Sequence, residues 1–113
     1  MIAFSFVNEA DTGNKRHPIP QAYEDITVVI AESAVFTAAL KNKCVAALVK
    51  WEGGPFRVRM DGGNPVGLGT VSGYLRQDGD EYFCSRAEAQ KLVTVIDQVA
   101  GGTTGFMRVT YYG

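Results

Sequence analysis

The chain has 113 residues, of which 46% are hydrophobic and 20% charged, with a net charge of −1 and a sequence pI of about 5.7. That balance lacks the basic surplus with which nucleic-acid binders neutralise phosphates, and no apolar run approaches the ~20 residues needed to span a bilayer. The opening MIAFSFV has no basic segment ahead of its apolar stretch, so no secretory leader is expected, and a single domain over 1–113 suits the length.

In chain order, residues 2–7 read as a first strand, and residues 8–22 as a polar loop or arm carrying Pro18 and Pro20. Proline fixes its own φ and pushes the residue before it towards extended backbone, which disfavours a regular strand pair there. Residues 24–31, EDITVVIA, are rich in β-branched side chains and predict a second strand. Residues 34–52 admit two readings. Phe36, Leu40, Cys44, Leu48 and Trp51 fall at helical spacing, whereas Val45, Ala47, Val49 and Trp51 alternate as in a strand. Strands at 34–40 and 44–52 are favoured, with Lys41-Asn42-Lys43 as the turn and a helix as the alternative.

Glu52-Gly53-Gly54-Pro55 predicts a tight hairpin, since glycine tolerates the positive φ of primed turns. It should pair residues 45–52 with 56–60 and place Trp51 and Phe56 at its flanks. Within 56–60, Phe56, Val58 and Met60 alternate with Arg57 and Arg59, so the apolar side should face a core. From Asp61 to Gly79 the six glycines predict loop, with Asp78-Gly79 turning into a short strand, DEYFC. Ser85 and Glu88 have the spacing of a capping box. One helical turn at about 86–90 followed by a strand at 91–97 is expected, with a full helix to Gly101 as the alternative. Gly-Gly-Thr-Thr-Gly then turns into a closing strand, FMRVTYY. The sum is a mainly β fold: an antiparallel sandwich, jelly-roll or immunoglobulin-like, of about seven or eight short strands with at most one short helix.

The residues capable of chemistry are sparse. His17 is the single histidine and lies in the polar arm, where no partner fixes it as a general base must be fixed. With Lys15 and Arg16 it reads instead as a basic spot that meets another protein. DGGNP and QDGDE lack the spaced Asp-x-Asp-x-Asp-Gly pattern and distant Glu of a calcium loop, and the glycines after Asp61 lack Gly-Lys-Ser/Thr. Turn formation accounts for both, so neither a metal nor a cofactor is expected. Cys44 and Cys84 have no metal spacing and read as buried free thiols, consistent with a reducing cytoplasm. Arg57 and Arg59 share a strand face, with Lys50 expected across the hairpin, as either a solvated face or a contact surface. Tyr74, Tyr82, Tyr111 and Tyr112 could stack on sugar rings or pack at a core edge or interface. Tyr111 and Tyr112 must point to opposite sides, which makes Tyr112 a candidate interface anchor.

The order EGGPFRVRMDGGNP, SGYLRQDGDEYF, LVTVID and RVTYY resembles small β-sandwich virion structural proteins of tailed bacteriophages, of the capsid decoration, cement or neck and tail accessory type. Arg57, Arg59, Asp61, Gly62, Pro65, Gly79, Asp80, Val109, Thr110 and Tyr111 carry it. Gly63-Asn64 and Val66 depart from the threonine-rich turn common in such proteins. The resemblance implies a non-enzymatic role in the virion after synthesis in the bacterial host cytoplasm. Its expected partner is the major capsid protein or another virion protein, met as a homo-oligomer or in many symmetric copies, through Lys15, Arg16, His17, Arg57, Arg59 and Tyr112. The Asp-Gly-x-x-Pro turn is also similar to one in β-sandwich modules appended to glycoside hydrolases. That second likeness implies glycan binding through Tyr74, Tyr82 and the Asp61 loop.

Overall fold

A computed structural model describes residues 19–67, 70–71, 73–97 and 104–113. The expected strand at 2–7 and the basic spot Lys15, Arg16 and His17 lie outside the described residues. The elements run β1 (Pro20–Val28), β2 (Ala34–Val35), α1 (Ala38–Lys41), β3 (Ala46–Glu52), β4 (Phe56–Arg59), β5 (Val66–Gly67), β6 (Thr70–Val71), β7 (Tyr74–Arg76), β8 (Glu81–Ser85), α2 (Arg86–Lys91), β9 (Val93–Ile96) and β10 (Gly105–Tyr112). A first antiparallel sheet has the order β1-β10-β3-β8 and a second β2-β9-β4-β7, with β5 and β6 paired separately. Among the described residues no helix is long and apolar enough to cross a membrane.

Alternation along each strand builds one core between the two sheets. Ala47, Val49 and Trp51 of β3 and Met107, Val109 and Tyr111 of β10 supply one side. Phe56 and Val58 of β4 and Thr94 and Ile96 of β9 supply the other. Each large apolar side chain buried in this way contributes about 1.5–3 kcal/mol relative to exposure. A polar seam crosses the core: the Trp51 indole N–H donates to Thr94 Oγ1 at 3.2 Å, and that hydroxyl donates to Met107 Sδ at 3.1 Å. A second link joins β1 to the segment before α1, where Glu24 accepts from Tyr111 Oη at 2.6 Å and from the Thr37 hydroxyl.

The Gly53-Gly54-Pro55 turn is not a hairpin. β3 pairs with β10 and β8, while β4 pairs with β9 and β7, so the turn carries the chain from one sheet to the other. Gly53 and Gly54 have φ of 89° and 90°. A Cβ at Gly53 would meet the Gly105 backbone at 3.0 Å, and one at Gly54 the Phe56 ring at 2.6 Å. Two adjacent glycines signal a sharp reversal, but the flanking side chains decide where it leads. Trp51 and Phe56 both enter the shared core, each from its own sheet. Lys50 accordingly lies opposite Arg108 and Glu81 in the first sheet, away from Arg57 and Arg59.

Other expectations shift more modestly. Strand geometry at 34–40 is confined to Ala34–Val35, and Ala38–Lys41 form the single helical turn of α1. The described residues thus hold two short helices and ten strand segments, because β5, β6 and β7 lie within the expected loop. β1 begins at Pro20, inside the expected arm, where a strand's first position needs no backbone donor. The Ser85–Glu88 capping box is present with both bonds formed, and β9 and β10 lie where expected.

Candidate functional site

The outer face of the first sheet is set by the same alternation that fills the core. Register aligns Tyr23, Thr110, Leu48 and Phe83 in one row across β1, β10, β3 and β8. Asp25, Arg108, Lys50 and Glu81 form the next row. Tyr23 is 76% exposed and Phe83 55% exposed, although both sit on strands. Tyr112 also points outward and leans on Phe83, with ring centroids 5.5 Å apart. The charged row neutralises itself in part: Arg108 Nε donates to Glu52 at 3.0 Å, and its Nη1 lies 3.4 Å from Asp25. The Glu52 carboxylate raises the Arg108 pKa further.

The outer face of the second sheet is closed. Val93 and Val95 point away from the core beside Arg59 and Arg57, yet both are buried. Both arginines are fastened to described residues beside this face: Arg57 to Asp97 and Gly73, and Arg59 to Asp61 and Asn64. Arg57 Nε donates to Asp97 at 2.9 Å, and its Nη1 to the Gly73 carbonyl at 3.5 Å. Arg59 Nε donates to Asp61 Oδ1 at 3.0 Å, its Nη2 donates to Asp61 Oδ2, and its Nη1 to the Asn64 carbonyl at 3.5 Å. The Gly62 N–H donates to the Lys91 carbonyl at 3.1 Å, and the Gly63 N–H to Asp61 Oδ1 at 2.9 Å. DGGNP is thus a turn locked to the strand it terminates. The Arg59 hydrogen bond, helped by the Gly63 N–H, holds the Asp61 carboxyl down at about 2.

A groove of about 480 Å³ is lined by Arg59, Met60, Asp61, Gly73 and Tyr74. Tyr74 is 66% exposed. Tyr82 does not line the groove: its hydroxyl donates to Glu88 at 2.7 Å, and the Arg76 guanidinium lies 5.6 Å from its ring. That guanidinium also lies 5.4 Å from the Trp51 ring, with its Nε buried and making no hydrogen bond.

Of the residues expected to form a contact, the structure places Tyr112 on the open face of the first sheet, and Arg57 and Arg59 on the outer face of the second, bonded to the Gly73 and Asn64 carbonyls. Leu48 stands out in the sequence only for its helical spacing, and Tyr23 and Phe83 are not among the expected contact residues. Their signal lies in YED and EYFCS, where an aromatic alternates with residues that turn inward. Burial pushes the Cys84 thiol up to about 12 and raises Cys44 as well, which favours the neutral thiol over the nucleophilic thiolate at both. Among the described residues no group of three or more His, Cys, Asp or Glu side chains could hold a metal ion. No protein family, curated protein or solved structure matches the chain.

Proposed function

We propose that the protein is a non-enzymatic virion structural protein of a tailed bacteriophage. In this reading it binds the capsid surface or neighbouring virion proteins through the outer face of its first sheet. The observation that carries the proposal is the row of exposed Tyr23, half-buried Leu48 and exposed Phe83, with Tyr112 against Phe83 and nothing over the two exposed rings among the described residues. Exposed apolar patches larger than a few hundred Å² mark contact surfaces, and tyrosines that become buried at a contact make effective anchors. The sequence resemblance supplies the setting. A stable contact buries about 800 Å² per partner, so it would spread from the apolar row over the Asp25–Arg108–Lys50–Glu81 row. That geometry makes attachment sensitive to salt as well as to loss of the aromatics.

The test is incorporation into particles. Phage particles are purified from cells expressing either the wild-type chain or a Tyr23→Ser, Phe83→Ser double variant, and the bound chain is quantified by mass spectrometry. The expected result is regular, stoichiometric occupancy for the wild type and a severalfold loss for the variant, with unchanged circular dichroism. A wild-type chain absent from particles would sink the virion reading. Equal occupancy of the two chains would remove this face from it.

A further inference from the structure

The groove beside Tyr74 is a second, separate surface on the other side of the sandwich, and its chemistry differs from that of the open face. We propose that it binds a neutral pyranose sugar, with the Tyr74 ring as the stacking platform and the Arg59–Asp61 pair as the hydrogen-bonding wall.

A pyranose has a face of C–H groups and a rim of hydroxyls that both donate and accept. A site for it therefore needs an exposed aromatic plane beside polar groups whose directions are already set. Tyr74 lies on β7, opposite Val58 in the ladder, yet it remains 66% exposed while Val58 is fully buried. It is held close to β4 because residue 73 is glycine: at its φ of 87°, a Cβ would come within 2.6 Å of the Val58 carbonyl oxygen. Arg57, anchored on Asp97, further fixes the Gly73 carbonyl.

The polar wall is equally set. Asp61 accepts from Arg59 Nε, Arg59 Nη2 and the Gly63 N–H, which occupy three of the roughly four acceptor positions of a carboxylate. The Arg59 and Asp61 side chains are tied to each other before a sugar arrives, so little of their rotamer freedom is lost on binding. The guanidinium and carboxylate also balance each other's charge, which leaves no net attraction for an acidic sugar. At about 480 Å³ the groove falls within the roughly 300–1,000 Å³ of small-ligand sites. Asp61 stays ionised above a pH of about 2, so binding should not change across the neutral range.

The probes are maltotriose, cellotriose, lactose and chitotriose, titrated into the isotopically labelled full chain while amide resonances are followed by NMR. At least one should give saturable shifts at Gly62, Gly63, Gly73 and Tyr74. Tyr74→Ala should weaken binding roughly tenfold or more, as loss of an aromatic anchor does, whereas Tyr74→Phe should retain most of it. Asp61→Asn, which preserves shape but loses charge, tests the wall independently and should also weaken binding. The proposal is overturned if none of the four sugars gives saturable shifts at tens of millimolar. It is equally overturned if Tyr74→Ala binds as well as wild type, or if only sialyllactose binds. Particle occupancy of Tyr74→Ala should match wild type, so failure here and failure of the virion reading are told apart.

Discussion

The two outer faces of this sandwich are finished in opposite ways. On the second sheet, Val93 and Val95 point away from the core yet are buried, and the arginines beside them are bonded to Asp97, Gly73, Asp61 and Asn64. On the first sheet, Tyr23 and Phe83 point away from the core with nothing over them among the described residues. Arginines on a strand look like contact groups, and aromatics on a strand look like core. Here the arginines are fastened within the chain, while these two aromatics are the exposed groups. What each side chain bonds to decides its role on a face, not its polarity alone.

Breaking the Arg57–Asp97 pair should have the largest effect. Arg57→Ala takes the guanidinium away from Asp97, a carboxylate only 1% exposed, and should cost about 3 kcal/mol of stability in urea unfolding. Amide protection of β9 should fall with it. Lys50→Ala on the open face should stay within about 0.5 kcal/mol, and equal losses for the two variants would erase the distinction between the faces. Next in size is the seam that both sheets share. Thr94→Val leaves the buried Trp51 N–H without its acceptor and should cost about 1–3 kcal/mol by the same measurement.

A smaller, pH-dependent effect belongs to the exposed Asp61. Its pKa in the folded chain, about 2, lies below the ~3.9 of an unfolded aspartate. The pair therefore stabilises the fold fully above pH ~4, and that contribution is lost as pH falls towards ~2. Asp61→Asn should flatten this part of the thermal midpoint curve between those limits; an unchanged slope would assign it to other carboxylates. The smallest effect tests the open face. Tyr23→Ser combined with Phe83→Ser should leave the unfolding midpoint nearly unchanged, within about 0.5 kcal/mol per site. A large loss would mean that these rings support the fold.

Much of the local structure was legible because it is written locally. Ser85 and Glu88 cap α2 through their own backbone, and the alternation of residues 105–112 determines which side chains of β10 turn inward. The Gly53-Gly54 reversal was legible as a turn, but its destination was not, because that depends on pairings of β3 with β10 and of β4 with β9 across long stretches of chain. α1 was hidden for a related reason. Thr37 begins it without a side-chain cap bond of its own and donates its hydroxyl to Glu24 on a distant strand. The open face was half legible: alternation showed that Tyr112 opposes Tyr111, but Tyr23 and Phe83 join it only through register. The groove sets Asp61 beside Gly73 and Tyr74, residues that no short motif joins.

The β1–β10 ladder, the longest among the described residues, also has a mechanical direction. β1 and β10 are antiparallel from Pro20 opposite Tyr112 to Val28 opposite Gly105, and Ile19 and Gly113 exchange two backbone hydrogen bonds just beyond. Tension applied between Ile19 and Gly113 would fall on one rung at a time and unzip the pair at low force. Tension between Ile19 and Gly105 would shear every rung together and meet far greater resistance. A tether fused beside Gly105 would therefore turn a weak handle into a strong one without altering a single contact in the core.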